Sequence, residues 1–399
     1  MKKTGINQQM YALGAKSSII REIFEYGKKR KAEIGEENVF DFSLGNPSVP
    51  APEVVNKTMM KLISNTDSVR LHGYTSAPGD LGVRQAIAEY LNKNYNVGAS
   101  ATDIYMTVGA AASLTVSLNA VLLPGEEVIV VAPFFPEYRV FVEKAGGVLK
   151  VVNSKWDDFQ LDFDALEKAI NEKTKAIIIN SPNNPSGAVL TLDTIKKLSA
   201  LLKKKQEEYG TCIYIISDEP YRELVYGDVE VPYISNEYDN TIVCYSFSKS
   251  LSVPGERIGY IFVSPKVENA KDVYLAVCGA GRALGFVCAP ALFQYMIPDC
   301  IGKTSDVSVY KKNRDLLYGA LTSYGFEAVH PDGAFYLFLK SPEADANAFC
   351  ERAKKYELLL VPSDSFGVKG YVRISYCVTT EQIKKSLPAF RALASEYGL

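Results

Sequence analysis

Thr241-Ile242-Val243-Cys244-Tyr245-Ser246-Phe247-Ser248-Lys249-Ser250-Leu251-Ser252-Val253-Pro254-Gly255-Glu256-Arg257 is the stretch from which the rest of the chain can be read. Thr241 to Cys244 form an apolar, β-branched run of the kind that makes a buried strand. The run then gives way to small hydroxyl residues with one lysine, Lys249, among them. A lysine at the end of a buried strand is poorly solvated. Desolvation disfavours its ammonium form, lowers its pKa and makes it a usable nucleophile. Such an amine can form a Schiff base with an aldehyde cofactor. Arg257 follows eight residues later, with serines between, so hydroxyl and guanidinium donors for a phosphate are at hand. Taken alone, the stretch fits an ordinary strand–loop junction with a solvated Ser-Lys pair better.

Three stretches upstream bear on that choice. Ile213-Tyr214-Ile215-Ile216 ends in Ser217-Asp218-Glu219-Pro220-Tyr221. An aspartate directly after a buried run is costly unless it meets a cation. A structural ion pair, a helix cap or a protonated pyridine nitrogen would each serve. Ile177-Ile178-Ile179 runs into Asn180-Ser181-Pro182-Asn183-Asn184-Pro185-Ser186-Gly187, a sharply turned loop in which the following proline restrains Asn184. Such a loop is also what an ordinary Asn-Pro turn looks like. Tyr105-Met106-Thr107-Val108 leads to Gly109-Ala110-Ala111-Ala112-Ser113-Leu114. Tiny residues opening a helix let its free N–H groups approach a phosphate closely, or simply pack the helix start tightly. Gly279-Ala280-Gly281-Arg282-Ala283-Leu284-Gly285 has the look of a dinucleotide fingerprint, but its last glycine comes one position late and no strand clearly precedes it.

Further out, apolar strands alternate with helical segments: Ile104 to Val108, Val128 to Ala132, Leu149 to Val152, Ala176 to Ile179, Cys212 to Ile216, Thr241 to Cys244 and Ile258 to Val263. Between them, Thr191 is a fitting N-cap for a helix whose inner face is Leu192, Ile195, Leu198 and Leu202 and which Gly210 ends. This alternation implies an α/β fold: a mostly parallel central sheet with helices on both faces. Ligands of such sheets bind beyond the carboxyl ends of the strands. Ser18 to Lys31 reads as an amphipathic helix, and Val39 to Leu44 as a short strand entering the turn Gly45-Asn46-Pro47. After about residue 290 the pattern becomes that of a smaller α+β domain. The expected division is a large domain of residues 46–289 and a small one of residues 1–45 and 290–399.

Composition limits the function. The chain has 399 residues, 47 % of them apolar, and a formal net charge of -2. No basic surplus points to nucleic acid, and no polybasic tail points to a membrane surface. The polar start, Met1 to Met10, has no apolar signal-peptide core, and Arg282, glycines and a proline interrupt the apolar stretch Leu275 to Phe293. Seven cysteines without a CxxC pair suit a reducing, cytoplasmic setting. Two histidines, His72 and His330, far apart in sequence, argue against a zinc site or a histidine-based triad, and no metal is expected.

Together the four stretches supply what pyridoxal phosphate needs: an amine, a carboxylate for the ring nitrogen, donors for the phenolic oxygen and a phosphate cradle. The chain resembles the class I/II aminotransferases among the fold type I pyridoxal-phosphate enzymes, those of the aspartate aminotransferase kind, over essentially its whole length. The resemblance rests on Asn183-Asn184-Pro185-Ser186-Gly187, Ser217-Asp218-Glu219-Pro220-Tyr221, Ser246-Phe247-Ser248-Lys249 with Arg257, and Tyr371-Val372-Arg373-Ile374-Ser375. It implies that Lys249 carries the cofactor and moves the α-proton, and that Asp218 keeps the pyridine nitrogen protonated. Asn184 and Tyr221 would bond the phenolic oxygen. Ser246 and Arg257 would hold the phosphate with the amides of Ala110 and Ala111, and Phe135 would stack on the ring. Arg373 would take the substrate α-carboxylate, and Gly45 would line the substrate side. Tyr74 would reach the phosphate of a neighbouring subunit, which implies a homodimer with shared sites. The alanines at 110 and 111 depart from relatives that often carry longer polar side chains there.

The activity expected is amino-group exchange between an amino acid and a 2-oxo acid such as 2-oxoglutarate. A β-carbon–sulfur lyase on the same fold would also begin with removal of the α-proton. A cofactor-sensing regulator would need a DNA-binding domain, for which there is no room before Ser18. A dicarboxylic substrate such as aspartate needs a second cation. Arg282 is the candidate; without it a neutral or aromatic amino acid is the expected donor.

Overall fold

The computed structural model describes residues 5–15 and 18–399. Residues 1–4, 16 and 17, part of the expected segment 1–45, lie outside the described residues. Among those described, the strands in chain order are β1 (Phe40–Asp41), β2 (Ile104–Thr107), β3 (Glu127–Ala132), β4 (Val148–Asn153), β5 (Thr174–Asn180), β6 (Tyr214–Asp218), β7 (Thr241–Ser246), β8 (Gly259–Val263), β9 (Tyr336–Lys340), β10 (Leu358–Leu359), β11 (Val361–Pro362) and β12 (Tyr371–Ser375). Seven of them form one sheet in the order β2-β8-β7-β6-β5-β3-β4. β7, β6, β5, β3 and β4 run parallel; β8 pairs antiparallel with β7, and β2 at the edge pairs antiparallel with β8, so β2 runs in the direction of the five.

The apolar runs explain this sheet. Successive side chains of a strand point to opposite faces, so a strand covered on both sides is apolar at every position. Ile177, Ile179, Ile213 and Ile215 pack in one cluster with Ile195, Leu198 and Leu202 of the helix Leu192–Tyr209. Their chain neighbours Ala176, Ile178, Tyr214 and Ile216 pack in another with Leu114 and Leu118 of the helix Ala110–Val121. The expected caps are in place: the Thr191 hydroxyl accepts from Thr194 N at 3.1 Å, and Gly210 takes a left-handed φ of 62°.

A second sheet, β11-β12-β9, is antiparallel. Its core gathers Phe42, Leu317, Leu321, Phe390 and Leu393. Of the expected strand Val39 to Leu44, only Phe40–Asp41 pairs, with Leu358–Leu359. Thereafter the chain turns into the cleft between the sheets. The helix Ala291–Cys300 buries Met296 and Ile297 against Val55 and Ile87, which belong to helices at the large sheet. We infer two packing units from this, with the large one reaching past residue 290 to about Cys300. Among the described residues no helix is long and apolar enough to cross a membrane.

Candidate active site

Parallel register brings the ends of β5, β6 and β7 to one place: Asn180 lies beside Asp218, and Asp218 beside Cys244. A cavity of about 320 Å³ opens there. It is lined by Lys249, Asp218, Tyr221, Asn184, Ser246, Arg257, Ala110, Ala111, Phe135, Gly45 and Arg373, so eleven of the thirteen residues expected at the site converge on one space.

Asp218 ends β6 and is 4 % exposed. Its neighbour Glu219 is paired with Arg222 at 2.5 Å, so Asp218 is the member of the acidic pair left without a cation. The Tyr138 hydroxyl donates to Asp218 Oδ2 at 2.5 Å, while the buried Oδ1 has no partner. Burial pushes the carboxyl up to about 7, against the lowering effect of the Tyr138 hydrogen bond. A buried acceptor with a free oxygen is a site for a donor, and a cationic donor would return the group to its ionised form.

Lys249 lies in the turn of helix Phe247–Ser250 that follows β7. Its amine donates to the Gly45 carbonyl at 2.6 Å. Burial lowers its pKa to about 8, with Arg257 and Arg373 adding a smaller push in the same direction. A larger share of the amine is therefore neutral near physiological pH than in an ordinary lysine.

Arg257 has φ 52° and reaches across Gly109, the residue before helix Ala110–Val121. A Cβ at Gly109 would lie 2.9 Å from Arg257 Nη2, so only glycine lets the guanidinium approach this helix start. The Ser246 hydroxyl lies 2.7 Å from that of Ser248, next to the same opening. Helix N–H groups, two hydroxyls and a guanidinium on one wall suit a phosphate.

On the opposite wall, β12 supplies Arg373, 2 % exposed. Its guanidinium donates to Asn184 Oδ1 at 3.2 Å and to the Ser43 carbonyl, while Nε is buried without a partner. Desolvation lowers its pKa. No carboxylate forms an ion pair with it among the described residues, so the site presents a buried cation with a free donor. Asn184 N is in turn held by Asn180 Oδ1 at 2.8 Å, and Asn180 Nδ2 by the Asp218 carbonyl at 2.9 Å. One hydrogen-bonded series thus joins the carboxylate strand to the arginine.

The sequence pattern described as aminotransferase class I and II matches residues 37–390. The chain belongs to that family. It is a pyridoxal-phosphate-dependent transaminase, as the family is. The solved structure of an amino transferase from Eubacterium rectale is 56 % identical, with a TM-score of 0.97 over 99 % of this chain and 100 % of that one. Aspartate aminotransferase of Thermotoga maritima is 32 % identical over 92 % of this chain and 95 % of its own. A probable N-acetyl-LL-diaminopimelate aminotransferase of Bacillus subtilis is 30 % identical over 88 % of each.

Two of the thirteen expected residues lie outside this aminotransferase's own cavity. Tyr74 is 98 % exposed. Arg282 is exposed near the end of helix Ala270–Leu284. Neither reaches the site within one copy of the chain. Conversely, the sequence reading passed over Tyr138, Asn180, Ser248 and Tyr336. Tyr138 stands three residues after Phe135, one helical turn on, and the two rings meet edge to face at 5.6 Å. That spacing was a usable signal. Asn180 could have been found as the neighbour of Asp218 at the strand ends.

Gly45 is needed for closeness. A Cβ there would overlap the Tyr336 hydroxyl, lie 2.9 Å from its Cζ, and lie 3.2 Å from Phe335 Cε2. Gly45→Ala should displace the carbonyl that holds Lys249, lowering kcat about tenfold and destabilising the protein by roughly 1–3 kcal/mol through overpacking. Steady-state kinetics and thermal melting check both. A normal kcat would show that the Gly45 carbonyl does not position the amine.

Proposed function

We propose that this aminotransferase carries pyridoxal 5'-phosphate on Lys249 and exchanges amino groups between an α-amino acid and a 2-oxo acid in the cavity described above. The observation that carries the reading is the free, buried oxygen of Asp218 in the same cavity as the Lys249 amine. When bound, the cofactor supplies an aldehyde carbon and an electron-withdrawing ring that accepts the pair released at the substrate α-carbon.

The side chains divide the remaining work. Arg257, Ser246 and the amides of Ala110 and Ala111 hold the phosphate. Asp218, ionised by a cationic ring nitrogen, keeps that nitrogen protonated. Asn184 commits its amide oxygen to Arg373, which leaves its nitrogen to donate to the phenolic oxygen beside Tyr221. Phe135 covers one face of the ring. Arg373 takes the substrate carboxylate as a planar fork, and its buried Nε gains a partner. The neutral amine of Lys249 accepts and returns the α-proton. In a homodimer, Tyr74 would extend to the phosphate in the partner's site.

For the substrate, aspartate with 2-oxoglutarate is the leading pair, and Arg282 of the partner subunit is the proposed second cation. A half-reaction panel of single amino acids, followed by the absorbance of the cofactor's amine form, tests this. Arg282→Ala should reduce aspartate and 2-oxoglutarate turnover about a hundredfold while leaving alanine within a few-fold, as expected when a buried carboxylate loses its partner. A uniform loss points to a damaged dimer. No loss removes Arg282 from the site and leaves a neutral or aromatic donor. Release of a thiol and pyruvate from a cysteine conjugate, without amine-form accumulation, would mark the β-lyase.

A further inference from the structure

Tyr336 has none of the roles assigned above, yet it touches two residues that do. It opens β9, where it lies opposite Ser375 of β12, while Phe338 lies opposite Arg373. Alternate residues share a sheet face, so Tyr336 and Arg373 are diagonal neighbours on one face. The Arg373 guanidinium carbon is 4.8 Å from the Tyr336 ring centroid. At the other end of that ring, the Tyr336 hydroxyl lies 2.9 Å from the Tyr221 hydroxyl. Tyr336 is 2 % exposed and lines the cavity.

Arg373 has no ion-pair partner among the described residues, so the aromatic faces against it, Tyr336 and, at 5.1 Å, Phe366, are part of what makes its burial tolerable. A rigid ring also restricts where the fork can point. A phenol has a single hydrogen to donate. If Tyr221 is to donate into the cavity, its oxygen is left to accept, and Tyr336 is the hydroxyl placed to donate to it. A donor into the Tyr221 oxygen polarises the Tyr221 O–H and makes it a stronger donor in turn.

We propose that Tyr336 is a positioning residue for both ends of the site, its ring aiming Arg373 at the substrate carboxylate and its hydroxyl turning the Tyr221 O–H toward the cofactor. This rests on the roles of Arg373 and Tyr221 proposed above. The two duties reside in different atoms, so two substitutions separate them. Tyr336→Phe keeps the ring and removes the hydroxyl. Tyr336→Leu removes both.

The test uses the holoenzyme with L-aspartate and with L-alanine. The pH midpoint of the bound cofactor's absorbance is read beside kcat and KM. Tyr336→Phe should leave both KM values within about twofold and raise the absorbance midpoint, because a weaker Tyr221 donor stabilises the cofactor's phenolic anion less. Its kcat should fall about tenfold. Tyr336→Leu should show the same midpoint shift and raise KM about tenfold for both amino acids alike, since both carry the α-carboxylate. An unchanged midpoint in Tyr336→Phe overturns the proposal, and that variant suffices if Tyr336→Leu does not fold. Equal KM increases in the two variants also overturn it and leave Tyr336 a packing residue. A wild-type protein that never takes on the cofactor's absorbance would fail the underlying reading of the site instead.

Discussion

Lys249→Ala should cost at least about a thousandfold in turnover, the upper range for a residue that serves as both nucleophile and proton carrier. The variant should still take up cofactor through Asp218 and Arg257, without a covalent bond. In the wild type, borohydride reduction and peptide mapping should find the adduct on Lys249. An adduct on another lysine would overturn the assignment. The amine's environment gives a second readout, independent of catalysis. Burial lowers the Lys249 pKa from 10.5 to about 8. Between those values the unfolded chain holds a proton that the native residue lacks, so this group makes native stability rise with pH across that window. Above 10.5 the penalty is absent, and below 8 it is fully present. Lys249→Met, which removes the titration at similar volume, should therefore melt higher than wild type at pH 7 in the cofactor-free protein. The gap should close as pH rises from 8 toward 10.5. A gap that does not vary with pH would mean that the amine is solvated in the native state.

Asp218→Asn should cost on the order of a hundredfold or more in kcat, the range for loss of a group that stabilises charge developing in the transition state. The substitution is nearly isosteric, and the Tyr138 hydroxyl can still donate to the amide oxygen. Normal turnover would mean that the ring nitrogen has another partner. Stability again separates fold from function. Burial raises the Asp218 pKa from 3.8 to about 7, so in that window the native protein binds a proton that the unfolded chain has lost. The stability this group provides is present below 3.8 and lost as pH rises through 7. Cofactor-free Asp218→Asn should melt close to wild type at pH 4 and above it at pH 8. With cofactor the order at pH 8 should reverse, because the cation that Asp218 awaits then fills the site. A variant that gains as much stability from cofactor as wild type does would separate Asp218 from the ring nitrogen.

What the sequence determined by itself is local in origin. Apolar runs such as Ile213 to Ile216 and Thr241 to Cys244 are buried on both faces, so they specify a covered parallel sheet through composition alone. Thr191 and Gly210 mark the ends of a helix because capping involves only near neighbours. That Asp218, Asn184 and Lys249 would meet in one cavity was legible because parallel strands deliver their carboxyl ends to one edge. Tertiary structure decided the rest. That Glu219 is paired with Arg222 and Asp218 is left free depends on contacts that adjacent acids in a sequence do not reveal. The pairing of β9 with β12 sets which side chains share a face with Arg373, and a one-residue slip would turn Tyr336 away. The need for glycine at 45 comes from a tyrosine far along the chain in another sheet. Tyr74 and Arg282 mark the limit of both: each is exposed on a single copy of the chain, away from the cavity.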